Sequence, residues 1–80
     1  MKISHFYVTA HAQQRALERD LSVDLMQKVV EFHSTRKQLR RPGPNRGIVY
    51  EFTHRNADET IVVIAEVLKA ECWLVTAYRT

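Results

Sequence analysis

The chain is poor in the residues that build specialised sites: one cysteine, two glycines, two prolines and one tryptophan in 80 residues. A lone Cys72 excludes an internal disulfide and any thiolate-rich zinc site. Gly43 and Gly47 do not lead into a helical pattern, so there is no glycine-rich loop to cradle a nucleotide phosphate. The longest uninterrupted apolar run, Ile61–Ala65, is far short of the roughly 20 residues that a membrane-spanning helix needs. Near the N-terminus Lys2 is followed by mixed residues with no apolar signal core, so the expected setting is a reducing cytosol. A domain exported within a larger polypeptide would read the same way. The length predicts one domain over residues 1–80, with a thin core, no membrane contact and no large cofactor.

What is present is positive charge, unevenly placed. The chain carries 12 Lys and Arg against 9 Asp and Glu. Residues 1–34 balance to zero, and residues 56–80 carry a net −2. Between them, Arg36, Lys37, Arg40, Arg41, Arg46 and Arg55 face Glu51 alone, a net +5 over residues 35–55. A basic stretch of this density points to a polyanionic partner, nucleic acid first. The plainer reading is a solvated, Arg-rich hairpin.

Thr9 is placed to N-cap a helix over about 10–19 and Ser22 a second over about 23–33, with Leu21 and Met26 spaced as a hydrophobic staple. In the second helix Leu25, Met26, Val29, Val30 and Phe32 share one arc, opposite Asp24, Gln27, Lys28 and Glu31. In the first, the expected core stripe is narrow: Ala10, Leu17 and Leu21. Residues 35–41 read as a polar strand or arm, and Pro42-Gly43-Pro44-Asn45 as a turn. Strands follow at Ile48–His54, Thr60–Leu68 and Cys72–Arg79, and Met1–Tyr7 offers a further edge strand. The expected fold is α+β: two N-terminal helices packed on an antiparallel meander of three to four strands, in two layers.

His11, Arg15 and Arg19 recur at i, i+4 and i+8 on the first helix and form one polar ridge. Cations four apart repel unless a carboxylate such as Glu18 or a bound anion sits among them. His33 falls near the C-terminus of the second helix, where a packed or capping imidazole is favoured. His5 and His54 have no partner visible in sequence, and the four histidines lack the spacing of a metal site. Cys72 lies among apolar neighbours and reads as an inert, buried thiol. In the last strand, alternation sets Thr76 and Tyr78 on one face and Val75, Ala77 and Arg79 on the other.

The run from Thr9 to Ser22, with His11-Ala12 followed by Arg15 and Arg19 and then Leu21-Ser22, resembles the opening of the uncharacterised family labelled DUF4258. The ending Leu74-Val75-Thr76-Ala77-Tyr78-Arg79 is similar to that family's closing strand, and Tyr50 fits its aromatic position after the central turn. The resemblance covers about residues 5 to 79. It implies a RelE-like toxin domain of the barnase, EndoU, colicin and RelE fold. Such a domain acts as a metal-independent ribonuclease on RNA, with no cofactor, and an acidic antitoxin or immunity protein is the natural partner. By the same resemblance His11, Arg15, Arg19 and Arg79 are the principal functional positions, supported by Tyr50, Thr76 and Tyr78.

The chemistry fits these residue types. Metal-free cleavage needs a base for the 2′-hydroxyl, cations for the phosphorane-like charge and an acid for the leaving oxygen. His11 suits the base, because imidazole exchanges protons near neutrality. Arg15, Arg19 and Arg79 suit the phosphate, which a guanidinium grips through two N–H groups. Tyr78 or Tyr50 can stack on a base or donate a proton. Arg36, Lys37, Arg40, Arg41, Arg46 and Thr76 complete the expected nucleic-acid contacts. The alternative from the same residues is a non-catalytic nucleic-acid-binding or antitoxin-docking module.

Overall fold

A computed structural model describes residues 2–80. The chain opens with β1 (His5–Val8), continues into α1 (Ala10–Glu18) and α2 (Val23–Glu31), and ends with β2 (Thr35–Pro42), β3 (Ile48–Arg55), β4 (Thr60–Leu68) and β5 (Glu71–Arg79). Both helices begin where a hydroxyl side chain meets a free backbone donor. The Thr9 hydroxyl oxygen accepts from the Ala12 amide at 3.0 Å, and that of Ser22 from the Leu25 amide at 3.0 Å. α1 stops in a Schellman arrangement: the Leu21 amide donates to the Ala16 carbonyl at 2.8 Å, and Asp20 takes the left-handed conformation at φ 52°.

Strands β2 to β5 form an antiparallel meander, and β1 joins the outer edge of β5 in parallel, giving the order β1-β5-β4-β3-β2. One face of this sheet packs on the helices. Ala12, Ala16, Met26, Val29 and Val30 meet Phe52, Ile61, Val63, Ala65, Cys72, Leu74 and Ala77 in one buried cluster. The opposite face carries no helix.

The structure corrects the expected architecture. The sheet has five strands rather than three to four, and it is mixed rather than antiparallel. The helices lie between β1 and β2 and do not open the chain. Of the segment Met1–Tyr7 read as a possible edge strand, Met1 lies outside the described residues and pairing begins at His5. The physical reason for β1 is that Phe6 and Val8 pack against the core while their backbone satisfies the outer edge of β5.

Two finer expectations also change. Ala12 and Ala16, not Ala10 and Leu17, form the buried stripe of α1, and Leu17 stands 85% exposed. Small residues face the sheet because the helix lies close against β5. A register shift between Ile64 and Ala65 leaves Val75 as an extra residue in β5. Leu74 and Ala77 therefore share the helix-facing side, together with Arg79, while Thr76 and Tyr78 stay on the open face.

Candidate functional site

β1 pairs with β5 only over Glu71–Leu74, so the rest of that β5 edge has no strand beside it. α1 occupies the place. The Thr9 hydroxyl donates to the Leu74 carbonyl at 2.8 Å where strand gives way to helix, and Arg19 Nη1 donates to the Ala77 carbonyl at 2.6 Å at the far end. The predicted ridge of α1 therefore runs beside the second half of β5. His11 is exposed on it, and Arg15 Nε donates to His11 Nε2 over a long 3.5 Å. At that length the contact is weak. Arg15 also pairs with Glu18, Nη1 to Oε2 at 2.7 Å. This hydrogen bond, the largest of several influences, holds the Glu18 carboxyl below the ordinary carboxylate range.

At the other end of the ridge Arg19, Tyr78 and Arg79 meet. The Arg19 guanidinium lies 6.0 Å from the Tyr78 ring centroid. Each nitrogen of the exposed Arg79 guanidinium makes one contact within the molecule. Nε pairs with Glu59 at 2.8 Å, Nη1 donates to the Arg19 carbonyl, and Nη2 donates to the Asp20 carbonyl at 3.0 Å. Those two carbonyls close α1, so Arg79 acts as a cationic C-terminal clamp on the helix. Direct contacts thus join His11 to Arg15, and Arg19 to Tyr78 and Arg79. Among the described residues only the helix backbone links the first pair to the second, the Arg19 amide donating to the Arg15 carbonyl at 3.0 Å.

The basic segment forms β2, the β2–β3 turn and β3, which ends on Arg55. β2 is the other edge strand, exposed along nearly its whole length. Arg36 lies over the Tyr50 ring at 5.0 Å, on the helix-facing side. Lys37 points to the open face opposite Glu51, and Arg40, Arg41 and Arg46 surround the hairpin end. Among the described residues Lys37, Arg40, Arg41 and Arg46 form no salt bridge. Tyr50 and Arg36 are therefore on the opposite side of the sheet from Thr76 and Tyr78, and these positions do not form one surface.

Three structural features were not foreseen from the sequence. Glu66, only 1% exposed, holds the hairpin loop: its carboxylate accepts from the Gly47 amide at 2.6 Å and from the Asn45 amide and side chain, each at 3.0 Å. Gly43 and Gly47 permit this approach, since a Cβ at Gly43 would overlap the Glu66 carboxyl group and one at Gly47 would lie 2.7 Å from the Val67 carbonyl. The other two are Tyr7 and Trp73, whose rings stack on the open face at 5.0 Å. A tyrosine and a tryptophan at polar-facing strand positions were the available signal. The Tyr7 hydroxyl donates to Glu71 at 2.6 Å, and chiefly for that reason its ionisation moves above the ordinary phenol value.

His33 makes a capping contact, with Nδ1 2.8 Å from the Val30 carbonyl and its ring against Phe52. Cys72 is buried, and burial pushes its thiol up to about 12. Among the described residues no three His, Cys, Asp or Glu side chains gather as a metal-binding group. No helix of the described residues is long and apolar enough to cross a membrane. Comparison with family models, curated proteins and solved structures finds no significant match to this chain.

Proposed function

We propose that the protein binds RNA through its basic hairpin and the α1–β5 edge, and cleaves it by acid–base chemistry centred on His11. The observation that carries this reading is the exposed His11 imidazole held against the Arg15 guanidinium, on a ridge ending at Arg19 and Tyr78. The Nε2 lone pair is engaged only by a weak, long contact, so an incoming 2′-hydroxyl can displace Arg15. The released guanidinium then pairs with the phosphate. In the step itself O2′ gives its proton to His11 and attacks phosphorus. The P–O5′ bond breaks, and the leaving oxygen takes a proton from water. Arg19 and Arg79 are positioning residues here: Arg19 Nη1 donates to the Ala77 carbonyl, and Arg79 donates to Glu59 and to the two carbonyls that close α1. The likeness of Thr9–Ser22 to the opening of the DUF4258 family supports the same class of activity.

The test is incubation of the purified chain with single-stranded RNA in EDTA, comparing wild type with His11→Ala. The wild type should cut and the variant, equally folded by circular dichroism, should lose at least about 100-fold in rate. Equal cutting by both proteins removes His11 from the mechanism. A second reading, RNA binding without cleavage, is favoured by one observation: Arg79, the residue expected to grip phosphate, has all three nitrogens occupied. That reading predicts salt-sensitive binding and intact RNA after prolonged incubation.

A further inference from the structure

The cations of β2 are not all alike, for one of them lies on a ring. On the helix-facing side of the sheet the exposed Arg36 guanidinium stands 5.0 Å from the centroid of the half-buried Tyr50 ring. Tyr50 leans in turn on Phe52 at 5.5 Å, and Phe52 on His33 at 5.0 Å, so the ring under Arg36 is backed by the core. Among the described residues Arg36 makes no salt bridge. Just beyond it the β2–β3 ladder is interrupted. Pairing passes from Gln38 and Tyr50 to Pro42 and Ile48, which leaves Leu39, Arg40 and Arg41 opposite Val49 alone.

Charge and edge chemistry narrow the occupant. Alternation sets Glu51 and Glu66, the acids of β3 and β4, on the open face, and β2 has no acid. No carboxylate of these three strands therefore shares the side of Arg36 and Tyr50. In α2, Asp24 and Glu31 lie on the arc away from the buried Met26, Val29 and Val30. A further protein strand is a poor fit here, because the bulge, Pro42 and the four cations of β2 blunt this edge against pairing. A nucleotide outside a duplex matches both parts of the site. Its base can stack on a guanidinium plane backed by a ring, and its phosphate suits Arg40, which also lacks a salt bridge among the described residues. Within a duplex the bases are stacked on one another, and phosphate and sugar are what remains to bind.

We propose that the Arg36–Tyr50 pair is a base-stacking site through which β2 selects single-stranded RNA, an inference that rests on the RNA reading above. The full chain is titrated with fluorescein-labelled 2′-O-methyl oligoribonucleotides, which lack the attacking hydroxyl and cannot be cut. The probes are a single strand, its duplex, and a strand of the same length with abasic positions in place of the bases. Anisotropy at one salt concentration gives each affinity. Arg36→Lys keeps the charge and loses the plane, so it should weaken the single strand about 5- to 30-fold and leave the duplex and the abasic strand within about twofold. Lys37→Gln, on the other side of β2, should weaken all three alike. An Arg36→Lys loss shared equally by the three probes, or absent from all of them, overturns the stacking site and leaves the RNA reading intact. No binding of any probe overturns both. Folding of the variant is checked by circular dichroism. If Arg36→Lys does not fold, Arg36→Ala takes its place, with the same excess loss expected on the base-bearing single strand over the abasic one.

Discussion

Three guanidinium groups with the same charge do three different things in this molecule. Arg15 is held by Glu18 and touches His11, Arg19 covers an edge carbonyl of β5, and Arg79 closes the end of α1. The spacing of His11, Arg15 and Arg19 on one helix face was legible, because a 3.6-residue period places i, i+4 and i+8 together. The engagement of Arg79 was not, because its partners Arg19 and Asp20 lie some 60 positions away and are backbone atoms. Cys72 was legible as inert. With burial pushing its thiol up to about 12, almost no thiolate exists near neutrality. Native protein should therefore react with a disulfide reagent at least about 100-fold more slowly than protein unfolded in guanidinium. A rate equal to that of the unfolded chain would show that Cys72 is accessible.

At the scale of elements, the two helices announced themselves through Thr9 and Ser22, and the hairpins through their turn residues. β1 was offered only as an edge strand over Met1–Tyr7, since four residues with alternating exposure carry too little pattern to fix its bounds or its parallel pairing. The bulge at Val75 was equally hidden, and it decides which side of the sheet Ala77 and Arg79 occupy. The hairpin loop shows how a single buried carboxylate can order an exposed, basic element. Glu66→Ala leaves the Asn45 and Gly47 amides without their acceptor and should destabilise the fold by about 1–3 kcal/mol in urea titration. It should also speed amide exchange across residues 43–47 before it affects β4. Unchanged exchange at Gly47 in that variant would mean the loop is held by other contacts.

Across the whole molecule, the positive charge read in residues 35–55 is carried by an edge hairpin remote from most of the chain's acids, while the imidazole sits on the opposite edge of the sheet. The most direct measurement is the chemistry of the ends left on RNA by wild-type protein in EDTA, read by mass spectrometry. Attack by O2′ predicts 2′,3′-cyclic phosphate and 5′-hydroxyl termini, absent when His11 is alanine. Intact RNA, termini carrying a 5′-phosphate, or the same products from the His11→Ala variant would contradict the account.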